Sequence, residues 1–313
     1  MNNTTKTLSA VCTLTIAAGL AALVLNLRQK TEEDVPVQPV ITTTQPAPVT
    51  TEEVTTLPLY DYVPSGTGMT ERAKMLLKQN KDVVGWIKIE GTQVDYPFMR
   101  DPGAIPAGNT YYGGNAYEPN SYYLDHDLDG SYLRCGSLFC DYRDEFGSNE
   151  EEQSENIVIY GHNMANNTMF GSLRRYRQDY SFFEQAPFVE LSSNYRDYDY
   201  VLCGFFITGG NWYSDFIYWD MEELDNEEDF NYYINNMHAK QLFDTGVDVK
   251  YGDKLLTLST CYADEDNSRF IVVGRRLREG EVAGDMSTIQ RTEEYIKAHE
   301  PTTEADTKAE GTT

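Results

Sequence analysis

Cysteine and histidine are scarce in this chain. Its 313 residues include five cysteines and four histidines, and no two cysteines have the CxxC spacing of structural zinc sites. The same count excludes a disulfide-rich scaffold. Cys135 and Cys140 lie close in sequence, and the sequence leaves open whether they pair, while Cys203 falls in an apolar run and is expected to be buried. We expect neither a metal ion nor a cofactor.

Basic residues are also few, with 25 lysines and arginines against 50 aspartates and glutamates, for a net charge of −25. A protein that binds nucleic acid needs a basic face to neutralise phosphates. Nucleic acid is therefore excluded as a partner. The excess of carboxylates is typical of a self-repelling exported domain and identifies no substrate by itself.

One long apolar run free of charged residues lies near the start of the chain, at residues 8–27. Its length suits a single membrane-spanning helix. Lys6 precedes it and Arg28 follows it, so the positive-inside rule gives no clear orientation. The run predicts an uncleaved anchor in the cell membrane with the rest of the chain outside the cell, and a cleaved signal peptide is the alternative.

Changes in composition divide the chain into four predicted parts. Residues 1–30 would form a cytoplasmic tip and the single transmembrane anchor. Residues 31–66 are rich in threonine and proline and predict an extended extracellular stalk, since such a segment cannot bury a core. Residues 67–278 would form the catalytic domain. The tail, residues 279–313, is polar and predicted to be mostly disordered, with a frayed helix near 292–298.

Within the predicted catalytic domain, short apolar runs alternate with glycine, asparagine and aspartate. This spacing favours a closed or sandwiched, mainly β structure over a parallel α/β sheet. The expected strands are 83–89, 94–99, 137–142, 156–160, 188–191, 198–208, 254–260 and 270–276. Periodic apolar residues predict helices at 70–80, 169–176 and 225–240.

Three chemically active side chains stand at the ends of predicted strands. Cys261 ends one apolar run, Arg269 begins the next, and His162 follows an earlier one. A strand-end cysteine is more often a core residue, a histidine in a turn more often a surface residue, and an arginine can be a plain exposed charge. Together they form a set for cysteine acyl transfer: a nucleophile, a proton carrier and an oxyanion donor.

The chain resembles class B sortases, the cysteine transpeptidases of Gram-positive bacteria. The resemblance covers residues 75–278 and rests on several motifs. They are TLSTC at 257–261 with the downstream Arg269, NIVIYGHNM at 156–164, DVVGWIKIEGTQVDYP at 82–97, YLDHDLDG at 123–130, GSLFCDYR at 136–143 and MFGSL at 169–173.

The resemblance implies a sortase-type eight-stranded β-barrel with an N-terminal helical extension and a helix in the loop before the cysteine strand. It implies that Cys261 attacks a C-terminal sorting signal, NPxTN-like or xPxTG-like, in secreted partner proteins. His162 would act as general acid and base, and Arg269 would hold the substrate carbonyl and the oxyanion. A cell-wall precursor or peptidoglycan amine would then resolve the thioacyl enzyme.

The resemblance also implies substrate-binding residues. Ser259 and Thr260 belong to the matching motif and are expected to line the groove for the sorting signal, and Tyr218 or Trp219 would supply an aromatic contact. Asp264 is a candidate partner for His162, but a solvated charge in an acidic loop is the better interpretation. His126 is interpreted as structural.

Three alternatives share part of this interpretation. The enzyme could join pilin subunits through a lysine amine, because that reaction differs only in its acceptor. It could be a thiol hydrolase in which water resolves the thioester. A membrane-tethered binding module with a structural Cys261 is the non-enzymatic alternative, and it predicts that Cys261→Ala leaves function intact.

Overall fold

The computed structural model describes residues 68–105, 116–221 and 223–299. Eight strands in this part of the chain close into a barrel. They are β1 (Val83–Lys88), β2 (Asp95–Arg100), β3 (Leu138–Cys140), β4 (Asn156–Tyr160), β5 (Phe188–Ser193), β6 (Asp197–Gly209), β7 (Leu255–Tyr262) and β8 (Ser268–Arg276). Each predicted run overlaps one strand, so the mainly β, eight-stranded barrel is confirmed.

The strand order around the barrel is β1-β2-β3-β4-β7-β8-β6-β5. Neighbouring strands are antiparallel except for two parallel pairs, β2 with β3 and β4 with β7. The parallel β4–β7 pair matters for function because it joins strands that are about a hundred residues apart in sequence. Parallel neighbours place the carboxyl ends of both strands at the same edge of the barrel.

Apolar side chains fill both faces of the central strands. Inward-facing residues such as Phe98, Leu202 and Leu258 form the barrel core and are fully buried. A second cluster covers the outer face of β6, β7 and β8 and includes Cys203 and Met237. Because both faces are covered, these strands are near-continuous apolar runs and not alternating ones.

Five helices accompany the barrel in the described residues. They are α1 (Glu71–Leu77), α2 (Arg174–Gln178), α3 (Tyr180–Gln185), α4 (Glu227–Lys240) and α5 (Glu293–His299). Thr70 caps α1, because its hydroxyl accepts a hydrogen bond from the Ala73 N–H at 3.1 Å. These results confirm the N-terminal helical extension, and α4 confirms the helix in the loop before the cysteine strand. The sequence did not predict α3.

Residues 279–299 differ from the disordered tail predicted for 279–313. Arg275, fully buried in β8, donates two hydrogen bonds to the Glu281 carboxylate, both at 2.7 Å. Arg278 pairs with Asp248 and Asp253 at 2.9 and 2.7 Å. These ion pairs give a polar segment the partners that it lacks in isolation, so it packs against the barrel.

The localisation predicted from the sequence, a single-pass cell-membrane protein with an extracellular catalytic domain, is corrected by the structure. None of the helices in residues 68–105, 116–221 and 223–299 is both long and apolar enough to cross a membrane. The longest, α4, has 14 residues, about 21 Å at 1.5 Å per residue, and it carries charged side chains. The anchor predicted at 8–27 and the stalk at 31–66 lie outside the described residues, and the domain boundaries stay predictions.

Candidate active site

The barrel topology brings Cys261, His162 and Arg269 to one edge. Tyr160 of β4 pairs with Ser259 of β7, so the residues that follow each strand are neighbours. In the antiparallel β7–β8 pair, Cys261 lies directly opposite Arg269. The three predicted catalytic residues therefore surround a single space, although they come from three different strands.

Two side-chain hydrogen bonds hold the ends of β4 and β7 together. The Thr260 hydroxyl donates to the Gly161 carbonyl at 2.7 Å. One residue further along β7, the Cys261 carbonyl accepts a hydrogen bond from the Asn163 side-chain amide at 2.9 Å. The backbone of the cysteine is thus held on the segment that carries His162, which limits how far thiol and imidazole can move apart.

A groove of about 640 Å³ opens at this edge, and we call it the Cys261 groove. Its lining residues are Glu118, Pro119, Asn120, Leu124, Phe139, Tyr142, Arg143, Tyr160, Gly161, His162, Gly210, Trp212, Tyr218, Trp219, Ser259, Thr260, Cys261 and Arg269. No group of three or more His, Cys, Asp or Glu side chains in the described residues is arranged to hold a metal ion.

Exposure separates Cys261 from the other described cysteines. Its thiol is exposed, whereas Cys140 and Cys203 are buried and Cys135 is half-buried, and all four are free. Burial raises the pKa of Cys140, and it raises the pKa of Cys203 to about 12. Since the thiolate is the nucleophilic form, burial makes the thiols of Cys140 and Cys203 inert, whereas the Cys261 thiol is accessible.

His162 is oriented by a backbone carbonyl. Its Nε2 lies 2.7 Å from the Leu124 oxygen, and because a carbonyl can only accept, we infer that Nε2 carries the proton. In the neutral ring Nδ1 then keeps its lone pair. The sequence did not predict this contact, since no side-chain pattern shows where a backbone carbonyl will point.

The turn that carries the Leu124 carbonyl is tightly packed. Gly136 has a φ of +52°, and a Cβ there would stand 2.5 Å from the Leu124 oxygen. Ser137 donates its N–H to the Tyr123 carbonyl at 2.9 Å. His126 is buried, with Nδ1 2.8 Å from the Tyr122 carbonyl, which fits the structural role predicted for it.

Arg269 reaches the groove from the start of β8. Its Nη1 donates to the Ser268 carbonyl at 3.1 Å, and its guanidinium lies against Gly210. The fork of N–H donors thus stands across the barrel edge from the Cys261 thiol. An oxyanion that formed on a carbonyl bound at Cys261 would face a cation already in place.

The three predicted substrate-binding residues, Ser259, Thr260 and Tyr218, line the groove but are buried. The Tyr218 hydroxyl and Ser259 Oγ are 2.6 Å apart. Burial raises the pKa of Tyr218 to about 12, against the opposing effects of the Ser259 hydrogen bond and the Arg269 charge. With their hydroxyls already bonded, these side chains form the groove floor, whereas Trp219 lies on its wall beside Trp212.

Sequence reasoning missed a buried ion pair below the groove wall. Asp141 is fully buried and accepts from Arg143 Nε at 2.8 Å and from the Tyr160 hydroxyl at 3.0 Å. Arg143 also donates to the Trp219 carbonyl at 2.6 Å and to Asp220 at 3.1 Å. The pair ties the Trp219 segment to the opposite wall. The sequence feature that could have predicted this ion pair is the Asp-x-Arg directly after the buried β3 strand.

Asp264 does not orient His162. Its carboxylate is exposed and pairs with Arg177 Nη1 at 3.0 Å. The same guanidinium lies over the Tyr262 ring, 4.6 Å from its centre. The interpretation of Asp264 as a charge in an acidic loop therefore agrees with the structure.

Comparison with known proteins identifies the class. A sortase domain model matches residues 129–277. Sortase B of Listeria monocytogenes is 31% identical over 202 residues, which are 64% of this chain and 72% of the relative. Sortase B of Staphylococcus aureus is 30% identical over 205 residues, 65% of this chain and 73% of the relative. The chain belongs to the sortase family.

Solved structures of sortase B are similar to this chain as well. The Clostridium perfringens sortase B structure has a TM-score of 0.53 at 27% identity, over 66% of this chain and 99% of that one. The Staphylococcus aureus sortase B–substrate complex has a TM-score of 0.54 at 27% identity, over 67% of this chain and 87% of that one. Within the family the chain is a class B sortase, a cysteine transpeptidase that acts on sorting signals. The non-enzymatic alternative is thereby set aside.

Proposed function

We propose that Cys261, His162 and Arg269 are the catalytic residues of this transpeptidase. The observation that carries the proposal is their meeting in the Cys261 groove, with the one exposed thiol of the described residues facing a guanidinium and next to an imidazole. Cys261 Sγ attacks the carbonyl carbon of the threonine in the sorting signal. Arg269 donates hydrogen bonds to the oxyanion that forms.

The first half-reaction forms a thioester. As Sγ attacks, the neutral imidazole of His162 takes the thiol proton. The C–N bond after the threonine then breaks, and the imidazolium gives that proton to the departing amine. In the second half-reaction an amine attacks the thioester, a new C–N bond forms, and the thiol is released. The imidazole takes the proton that the attacking amine loses and passes it to the departing sulfur, so the Cys261 thiol and the neutral His162 are both restored.

We further propose that the signal is NPxTN-like or xPxTG-like and that the acceptor is a peptidoglycan amine. The Staphylococcus aureus sortase B–substrate complex supports substrate binding in this fold. Ser259, Thr260 and Tyr218 give the groove a buried floor on which an extended peptide can lie. The exposed Trp212 and the neighbouring Trp219 supply flat apolar walls for its side chains.

The test is a cleavage assay with the full chain. Fluorogenic peptides carrying NPxTN-like and xPxTG-like signals are incubated with and without an added amine, and products are identified by mass spectrometry. We expect cleavage and an amine adduct from wild type and neither from Cys261→Ala. Cys135→Ala is the matched control, since Cys135 is also free but does not line the groove.

Each result has a clear meaning. Cleavage by Cys261→Ala at the wild-type rate would exclude Cys261 as the nucleophile. Cleavage without any adduct, even at high amine concentration, would identify a thiol hydrolase. An adduct formed only with a lysine side chain of a second protein would favour the pilin-joining alternative.

A further inference from the structure

Arg269 differs from the other arginines near the groove because no carboxylate among the described residues pairs with it. Arg143 and Arg177 each form an ion pair, at 2.8 and 3.0 Å. In the described part of the chain the single hydrogen bond of the Arg269 side chain goes to the carbonyl of its own neighbour, Ser268. Because no carboxylate among the described residues fixes this guanidinium, its position depends on the surface that it packs against.

That surface is the bare Cα of Gly210. A Cβ added at Gly210 would stand 2.7 Å from Cζ, 2.8 Å from Nη1 and 3.0 Å from Nε of Arg269. Atoms in contact settle near 3.5 to 4.0 Å. The guanidinium therefore occupies the volume that any other residue at position 210 would fill with its side chain.

The backbone around Gly210 is held independently of Arg269. Gly209, the last residue of β6, pairs with Ser268, and the Gly210 N–H donates to the Asn267 carbonyl at 2.7 Å. Gly210 is not among the residues with positive φ. An alanine could adopt the same backbone, so the missing side chain is what position 210 requires.

We infer that Gly210 is a positioning residue for the reaction, which it serves by leaving room for the Arg269 guanidinium opposite Cys261. The inference rests on the oxyanion role proposed for Arg269. Only a glycine at position 210 leaves room for the guanidinium to pack against the loop after β6. One methyl group there displaces the donors while leaving the charge, the fold and the groove residues in place.

The expected kinetic effect is specific. A displacement of about 1 Å in a group that stabilises a transition state can lower the rate about 10²-fold. The oxyanion exists only in the transition state and the intermediate, so kcat should fall and KM should stay nearly constant. A general loosening of the fold would change both constants and the thermal unfolding midpoint.

The experiment is a double-mutant cycle in the full chain, read out as kcat and KM on a cleaved sorting-signal peptide. Gly210→Ala should lower kcat about 10- to 100-fold. In an Arg269→Ala background the same change should cost less than about twofold, because the group that it displaces is gone. Gly209→Ala is the control, since a Cβ there meets the Ser214 side chain and not Arg269.

A second readout follows the guanidinium directly. The Nε–H resonance of Arg269, assigned by its loss in Arg269→Ala, should shift in Gly210→Ala and stay in place in Gly209→Ala. Wild-type kcat in Gly210→Ala, or losses that multiply in the double variant, would overturn the inference. So would a loss of cooperative unfolding in Gly210→Ala, because it would show that the glycine serves the backbone.

The failure of the proposed function would look different. If Arg269→Ala alone kept wild-type kcat, the oxyanion role would be wrong and the inference would fall with it. If Arg269→Ala lost activity and Gly210→Ala did not, the oxyanion role would stand and only the positioning role would be excluded.

Discussion

At the scale of single residues, the expected reactivity of a cysteine in this protein depends on whether the fold buries its thiol. Cys140 and Cys203 have their side chains packed within the barrel walls. Cys261 comes one residue before the end of β7, where burial gives way to solvent. The three thiols are alike in sequence terms, since each follows an apolar run, and even Cys140 stands at a strand end, the end of β3. They differ in whether the fold covers the side chain.

Thiol labelling tests this difference. In the folded protein at neutral pH, Cys261 should react with iodoacetamide while Cys140 and Cys203 stay unmodified until denaturant is added, because burial raises the pKa of both. Peptide mapping by mass spectrometry identifies the labelled site. Labelling of Cys203 at the rate of Cys261 would contradict the burial described here, and Cys261→Ala shows the background.

The orientation of His162 is a second feature at this scale. A Cβ at Gly136 would collide with the Tyr123 and Leu124 carbonyls, so Gly136→Ala should push the Leu124 oxygen away from Nε2. We expect the ring to change from the Nε2–H tautomer to a mixture, and peptide cleavage to fall about tenfold or more. Imidazole ¹⁵N shifts report the tautomer.

Gly130 offers the matched control for that experiment. It also has positive φ, +79°, but an added Cβ would only approach the Tyr122 hydroxyl, at 3.6 Å. Gly130→Ala therefore carries similar backbone strain without touching the Leu124 carbonyl. Equal tautomer shifts in the two variants would show that strain in the turn, and not the carbonyl, determines the state of His162.

At the scale of elements, the segment after β8 is held by buried charge. Burial raises the pKa of Glu281, but hydrogen bonds from Arg275 and from the backbone N–H groups of Arg278 and Gln290 outweigh it and lower the value to about 2, from 4.5. The carboxylate stays ionised in the folded protein where it would be protonated in the unfolded chain. Its contribution to stability is therefore present above about pH 4.5 and is lost as the pH falls toward 2.

Glu281→Gln tests this element. Removing one partner of a buried pair leaves Arg275 charged and uncompensated, so the free energy of unfolding at pH 7 should fall by about 3 kcal/mol. The difference from wild type should shrink as the pH is lowered through the range from 4.5 to 2. Urea denaturation at several pH values measures it, with the exposed Glu279→Gln as control. A difference that does not change with pH would contradict the ionised state of Glu281.

The short helices show the limits of local patterns. Thr70 before α1 and Asn226 before α4 are capping residues whose side chains accept from the third following N–H, so both helices could be expected from sequence. Helix α3 has only six residues and a cap at Asp179. Its two buried phenylalanines pack on the barrel core, and no periodic signal distinguishes so short an element from a loop.

At the scale of the whole molecule, closure of the barrel creates the candidate site. The β4–β7 pair joins His162 to Cys261 across about a hundred residues, and the β7–β8 hairpin adds Arg269. Each residue stands at a strand end in the sequence, which is why all three could be proposed as catalytic. That they share one groove follows from the order of strands, which no local pattern specifies.

The sequence alone determined the fold class, the strands, the larger helices and the placement of the three candidate site residues at strand ends, because periodicity, caps and strand ends are local properties. Tertiary structure decided the rest. The Leu124 carbonyl at His162, the hydrogen bond from Arg143 to the Trp219 carbonyl and the Gly210 surface under Arg269 all join segments that are distant in sequence. Such contacts depend on which strands are neighbours, and that is settled only when the barrel closes.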